Sequence, residues 1–592
     1  MAAEARTASR YDIAGQAAMP SPREAKLVQD IMHDFGELQL WRNTTATQWE
    51  EVAELILPNY RNTFMYGNFN WPGQKKTERQ VDATGMMALH RFAAICDSLL
   101  TPRNMIWHGL DVEDDNLMKD RQVRMWLHAT TMSMFKARYS SYGNFAANNN
   151  QVYQSLGAFG TGPMFVDQAC DEAGNLLRAL RYKAIPLGEM FLMENHQGLV
   201  NGFIRWFRLN ARQAKMKWPD KPLPPSLQSA YDAGSLTQFN FLHHCVPNRE
   251  RDPNRLDEKG MPFASTYISI EGKSIMQEGG YRSFPLSASR YEQAPGEVYG
   301  RSPAMMVLPA LKTLNAEKRM FLKQGHRAAD PVLLTYDDGL VDGVSLRPGA
   351  LNKGGVNSEG KELIKVLPTG ELQVSKEMMD EERQLINDAF LVSLFQILTE
   401  TPQMTATEVI ERTNEKGILI APSMGRQASE YLGTMIPREL DLMVQMGMVE
   451  PMPPQLAEAL NAKQTKFHVR YTSPLSRAME AQEAAGFIRA VETTKELVAI
   501  TQDQSLLDVY EFDVAQPAIA RIQGTPEPWL ASQESIAKKR AARAQALAKE
   551  QQIQAAPAAA ALIKAKAAAG DAVPTSAPMA PQQPAGQQAQ PQ

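Results

Sequence analysis

The sequence predicts an α+β protein that is predominantly helical. Three observations carry that expectation. Capped amphipathic segments open the chain, short apolar runs broken by Gly, Asn and Asp fill its middle, and helix, glycine-rich break and helix follow from Ser302 onward.

The balance of 62 Lys plus Arg against 66 Asp plus Glu, with 44% apolar residues in 592, excludes a wholly disordered chain. That length corresponds to roughly four domains, or to one large subunit with several lobes. Cys96, Cys170 and Cys245 are odd in number and far apart, which argues against a disulfide framework or a cysteine zinc module and fits a reducing compartment. Glu4, Arg6, Arg10 and Asp12 interrupt the start, so no secretory signal is expected. No apolar run reaches the ~18 residues of a membrane span.

Ser21-Pro22-Arg23-Glu24 sets an N-cap, a first-turn proline and an N3 glutamate in capping-box order, ahead of Leu27, Ile31, Phe35 and Leu38. A helix from Pro22 follows. Thr47-Gln48-Trp49-Glu50 repeats the device before Val52, Ala53 and Ile56, which predicts a second helix closed by Pro58. A third amphipathic stretch runs from Asp82 through Leu89, Phe92, Ile95 and Leu99 to Pro102.

Beyond Gly157 the texture becomes strand-like. Met164 to Val166, Leu176 to Tyr182, Glu189 to Met193 and Gly202 to Phe207 read as strands, with turns at Asp171–Asn175 and Asn195–Gly198. Phe239 to Val246 and Thr266 to Ile270 continue the pattern.

Ser302-Pro303 starts a helix expected to reach His326, bent where Pro309 removes a donor. Residues 330–370 are glycine-rich and read as an irregular insertion. Ser375 begins a helix whose first turns hold Glu377, Asp380, Glu381 and Glu382, the charges that a helix N-terminus favours. After Thr399-Glu400-Thr401-Pro402-Gln403, Thr405-Ala406-Thr407-Glu408 forms a capping box, with Met404 and Val409 as its hydrophobic staple. Tyr471 to about Glu550 reads as helical. The Ala, Pro and Gln tract from Gln554 to Gln592 has too little apolar bulk for a core.

Enzyme signatures are weak. Glu271-Gly272-Lys273-Ser274 ends like a phosphate-binding loop, but Tyr267 stands where its first glycine belongs. Gly157, Gly160 and Gly162 have the wrong spacing for a dinucleotide site and read as a tight helix-to-strand turn. In His243-His244-Cys245, neighbours on a strand point to opposite faces, so structural histidines are the better reading. The expectation is a protein that is not an enzyme and needs no cofactor or metal.

Charge is more informative. Residues 302–329 carry five bases, Lys312, Lys318, Arg319, Lys323 and Arg327, against Glu317 alone. Residues 375–400 carry two bases, Lys376 and Arg383, against six acids. Either these are two solvated faces, or the helices flank each other within one subunit or between neighbours. The cluster Lys538, Lys539, Arg540 and Arg543 reads as a solvated helix face.

The order of YGRSPAMMVLPALKTLN, insertion, acidic helix, short loop and MTATEVIERTNEKG resembles the portal, or head-to-tail connecting, proteins of short-tailed bacteriophages. WEEVAELILP, DATGMMALHRFAAICDSLLTPRNMIWHGL, FGTGPMFV and YTSPLSRA agree, so the resemblance spans Pro22 to about Glu550. It implies a ring, a dodecamer as is typical of the family, at one capsid vertex, with double-stranded DNA passing through its lumen. Its partners would be terminase, a tail adaptor, and major capsid and scaffolding proteins, with no membrane. The alternative is another head-tail adaptor ring of the virion that does not translocate DNA.

By position, the resemblance implies an N-terminal arm at 1–20, a wing at 21–301, stem helices at 302–329 and 375–398, and a clip at 330–374. A tunnel loop would span Thr399, Glu400, Thr401, Pro402, Gln403 and Met404. The long wing helix would occupy 405–449, the crown 450–553, and a flexible tail 554–592. Thr405 and Glu408 would cap the tunnel-loop exit. The stem charges Lys312, Lys318, Arg319, Lys323, Glu377, Glu381 and Glu382 would face the lumen or a neighbouring subunit.

Overall fold

A computed structural model describes residues 21–65, 73–171, 174–255, 257–335, 345, 347, 349–351, 355–356, 358–367, 372–393, 425–462, 465–472, 474–502, 504–522, 525, 529–531 and 535–549. The chain divides into two units, Met1–Gly524 and Thr525–Gln592. The second is helical over 535–549.

The first helix, α1 (Pro22–Leu55), begins as its capping box requires: Ser21 Oγ accepts from Glu24 N, and Glu24 Oε2 accepts from Ser21 N at 2.7 Å. It does not stop before Thr47. No proline falls between Pro22 and Pro58, and the Thr47 hydroxyl bonds back to the Thr44 carbonyl at 2.7 Å instead of capping. One rod replaces the two expected because its ends enter different cores. Val28, Ile31 and Phe35 pack in one, Trp49, Val52 and Ala53 in another. Between them buried Arg42 donates to the carbonyls of Phe64, Leu187, Gly188 and Met190.

The chain continues through α2 (Thr84–Leu100), β1 (His108–Val112), α3 (Asp115–Lys119), α4 (Arg121–Arg138) and α5 (Phe145–Phe159). A strand-rich lobe follows with β2 (Thr161–Cys170), β3 (Leu176–Ala184), β4 (Met190–Glu194) and β5 (Val200–Asn210), then α6 (Ala211–Lys217) and α7 (Pro225–Asp232). It ends with β6 (Gln238–Pro247), β7 (Phe263–Ser269), β8 (Ser274–Tyr281) and β9 (Leu286–Arg290). These strands build two antiparallel sheets, ordered β3-β2-β9 and β4-β5-β6-β7-β8. Gly174 and Gly198 take positive φ in the two turns read from the sequence.

The three-glycine motif is a packing device. Gly160 ends α5 at φ +76, and a Cβ there would lie 2.2 Å from the Gly300 carbonyl oxygen, so nothing larger fits. The Gly272 segment is a hairpin turn between β7 and β8, with Lys273 at φ 45.

Ser302 caps α8 (Pro303–Met306) through Met305 N and donates to the Ala158 carbonyl at 2.8 Å. The helix breaks at Val307, ahead of Pro309, and resumes as α9 (Leu308–Ala329). β10 (Leu333–Thr335) and β11 (Ile364–Val366) pair antiparallel and return the chain to α10 (Leu372–Ala389), which starts before Ser375. From Gly425 a helical stretch passes through a π-turn at Gln427–Leu432 into α11 (Gly433–Gln445), and α12 (Pro454–Asn461) follows. β12 (Phe467–Tyr471) pairs antiparallel with β1 across more than 350 residues, fastening the segment before α13 (Pro474–Thr501) and α14 (Phe512–Ile522) onto the body. No described helix is long and apolar enough to cross a membrane.

Candidate functional site

α9 and α10 pack side by side, joined at one end by the β10–β11 pair. Their root is apolar. Leu308, Leu311 and Leu314 of α9 are buried with Met379 and Ile386 of α10, and Phe390 meets Phe92 of α2 edge-on at 6.1 Å. Leu311 lies so close to Gly85 that a Cβ there would come within 2.7 Å of it.

Past Leu314, no described α9 residue is fully buried. Met320 is 69% exposed, and Leu322, Met378 and Leu385 also face solvent, as do Val332, Leu334 and Val366 beyond the helices. Along a largely charged shaft, these apolar side chains are therefore uncovered in a single copy.

The segment from Arg79 to Asp82 straps the pair to α2. Asn315 accepts from Val81 N at 2.7 Å and donates to the Arg79 carbonyl, which also accepts from Arg319 at 3.2 Å. Arg383 pairs with Asp82 at 2.9 Å and with Asp380 at 2.7 Å. Burial pushes the Asp82 carboxyl upward, but hydrogen bonds from Thr84 and Arg383 outweigh it and hold it below the usual range.

Each anticipated charge now has a place. Lys312 pairs with Glu51 of α1 at 2.5 Å, both groups about half exposed. Lys318 lies over the Phe321 ring at 5.5 Å, and Lys323, Glu377 and Glu381 are at the surface. Glu317 and Glu382 are half-buried, each with a carboxylate oxygen that has no hydrogen-bond partner. Burial, then the charge of Glu382, raises the Glu317 carboxyl above its ordinary value. Thus the only acid of the first segment abuts an acid of the second, while Lys312 and Arg319 are engaged by α1 and the strap. Thr399, Glu400, Thr401, Pro402, Gln403, Met404, Thr405 and Glu408 lie outside the described residues.

The helix beyond that gap is held by polar groups that sequence reading missed. Arg138 and Glu439, both fully buried, form an ion pair; Tyr182 donates to Glu439 at 2.8 Å, and His108 Nε2 lies 2.9 Å from Arg138. Arg290 forks onto Glu430 at 2.9 and 3.0 Å and also pairs with Glu194. Gln427 Nε2 donates to the Arg290 carbonyl, and the Tyr431 hydroxyl donates to Asn149 at 2.8 Å. The π-turn rotates Gln427, Glu430 and Tyr431 inward together. Arg138 and Glu439 fall within otherwise amphipathic segments, where a lone charge carries no signal of its distant partner.

His243 bonds Ser265 Oγ at 2.9 Å and stacks on Tyr267 at 4.0 Å, whereas neighbouring His244 leaves Nε2 unpartnered. Among the described residues, no group of three His, Cys, Asp or Glu side chains is arranged to hold a metal ion.

The chain matches the family described as bacteriophage head to tail connecting protein over residues 28–530. It is 26% identical to the portal protein of Salmonella phage epsilon15 over 528 residues, covering 87% of this chain and 91% of that protein. It is also 26% identical to the probable portal protein of Bordetella phage BPP-1 over 540 residues, covering 89% and 93%. Among solved structures, a chain of the virion of a native gene transfer agent particle is similar with a TM-score of 0.33 at 11% identity, covering 69% of this chain and 85% of that one.

Proposed function

The chain belongs to the bacteriophage head to tail connecting protein family, and we infer from that premise that it is a portal protein. Copies of it form a ring at one capsid vertex, through which double-stranded DNA is packaged, retained and ejected. The ring is a conduit and not an enzyme.

The observation that supports this reading is the α9–α10 pair, rooted in the core yet carrying uncovered apolar side chains among the charges of its shaft. A neighbour related by rotation covers such a face, and a closed ring repeats that contact without leaving an open end. The opposite charge balances of 302–329 and 375–400 suit the same contact, since within one chain Glu317 meets Glu382. In this reading the pair is the stem and 330–374 the clip that meets terminase and later the tail adaptor. Residues 399–404 are the tunnel loop, 21–301 with 405–449 the wing against capsid and scaffolding proteins, and 450–553 the crown.

A conduit must not grip. Duplex DNA carries one charge per ~1.7 Å, and about 6 to 10 phosphate contacts make binding tight at low salt. One inward lysine per subunit would reach that number in a ring of about a dozen. Anchoring Lys312 on Glu51 and Arg319 on a carbonyl removes two candidates, which suits sliding.

The test is genetic. A phage from which this chain is deleted should assemble heads that contain no DNA, seen by thin-section microscopy of infected cells. DNA-filled heads in its absence would contradict the reading. Replacing Thr405 and Glu408 with Ala should cost about 1 kcal/mol or more at that helix start and impair DNA retention before ring formation. Normal retention in the double variant would refute the role given to the loop.

A further inference from the structure

A cluster of cations in the strand-rich lobe has no part in the conduit. The two sheets face each other there: Phe165 of β2 touches Phe203, His243 and Tyr281 of the five-stranded sheet, with ring centroids 6.0 to 6.3 Å apart. Lys183 is the register partner of Phe165, so it stands on the same inward face. Opposite it, Arg205, His243 and Tyr267 form a cross-strand row. Lys217, at the end of α6, lays its ammonium over Tyr267 at 4.0 Å, Phe207 at 4.9 Å and Trp218 at 5.0 Å.

Three cations thus face the same space between the sheets, where Glu189 already pairs with Arg205 and Asp167 is shared with Arg438. Glu189 Oε2 accepts from both Nε and Nη2 of Arg205, at 3.0 and 2.8 Å. Asp167 is held by Gln168 N at 2.9 Å and faces Arg438 at 3.5 Å. Among the described residues, neither Lys183 nor Lys217 has an ion-pair or hydrogen-bond partner, yet both reach solvent.

The rings packed around it, then Arg205 and Lys183, lower the Lys217 ammonium although the residue is exposed, only partly opposed by Asp167. Lys183 is lowered by burial, then by Arg205 and Arg181, with Glu189 opposing. The Lys183 and Lys217 ammoniums, unlike Arg205, have no anion of their own, and a doubly charged anion between them offsets their repulsion.

We propose that this space between the sheets binds a phosphate-class oxyanion, held between the ammonium groups of Lys183 and Lys217 with the Arg205 guanidinium behind them. Both ammoniums contribute point charges with rotatable donors, which suits a tetrahedral oxyanion, and the Tyr267 and Phe207 rings fix the Lys217 end. His243 and Tyr267 face the site but stay neutral, since burial lowers the first and raises the second.

The probe is inorganic phosphate, read by acylation of lysines on the full chain near pH 7 with mass spectrometry. In a non-phosphate zwitterionic buffer, Lys217 should react at least about tenfold faster than exposed Lys26, because more of its amine is unprotonated. Saturating phosphate should slow Lys217 at least about fivefold by restoring its charge and leave Lys26 unchanged. Lys183→Met should abolish that protection.

Calorimetric titration of Lys217→Met with phosphate provides a second readout and should show at least about tenfold weaker binding. A 5′-mononucleotide that protects while its nucleoside does not would place the phosphate on a nucleotide; protection by inorganic phosphate alone would mark a free-ion site. Protection by the nucleoside, absence of protection by phosphate, or equal protection in Lys183→Met would overturn the proposal.

Discussion

The body around α4, α5 and α11 and the α9–α10 shaft solve the same problem, fixing a helix, by opposite means. In the body Arg138 and Glu439 are each fully buried and paired with each other, and Arg290 of β9 with Gln427 and Tyr431 extends the polar network. On the shaft, Lys312 and Glu51 meet in solvent, Met320 and Leu385 are uncovered, and Glu317 abuts Glu382. The body is complete as a single copy. The shaft leaves apolar side chains uncovered in a single copy.

The largest expected effect therefore lies in the body. Glu439→Ala leaves Arg138 charged, buried and unpaired, and should cost about 3–5 kcal/mol in chemical denaturation. A loss below about 1 kcal/mol would show that the network is dispensable and erase the contrast.

Acid should act next, again on the body. Burial, then Arg138, holds His108 well below its usual value; burial, then neighbouring cations, does the same to His243, and burial lowers His244 to about 4 despite Asp34. Below about pH 6.5 the unfolded chain binds protons that the folded chain refuses, so stability falls as pH drops. The slope should be up to about 1.4 kcal/mol per pH unit for each histidine between about pH 6.5 and 5. Denaturation midpoints that hold steady over that window would contradict the neutral assignment.

These contrasts were unevenly visible in the sequence. Ser21, Glu24 and Ser302 specify helix starts through local bonds, and the Gly174 and Gly198 turns are equally local, so those elements were legible. The unbroken α1 was not, because it is decided by Arg42 reaching carbonyls about 145 residues away. The β1–β12 pairing and the Arg138–Glu439 pair were hidden for the same reason: the partners are long-range and each alone looks like ordinary surface chemistry. At the candidate site, the sequence left open whether the two helices flank each other or are separate solvated faces, and they pack side by side within one copy. The places of the charges were not legible, since the strap at Arg79 and Glu51 of α1 capture Arg319 and Lys312, which the resemblance assigned to the lumen or a neighbouring subunit.

Smaller effects should sharpen the shaft side. Lys312→Ala removes a half-exposed pair and should change the stability of one copy by about 0–1 kcal/mol. A loss of several kcal/mol in that copy would place Lys312 with the body's interactions. Met320→Ser with Leu385→Ser should leave single-copy stability within about 0.5 kcal/mol while disrupting assembly, read by sedimentation. Unchanged assembly would mean that these exposed apolar side chains have another purpose.

The most direct test is electron microscopy of the purified full chain at moderate salt. The account predicts a wheel with a central opening, its wall formed by one α9–α10 pair from each copy. Single particles without a hole, or a ring whose wall is built from other helices, would contradict it.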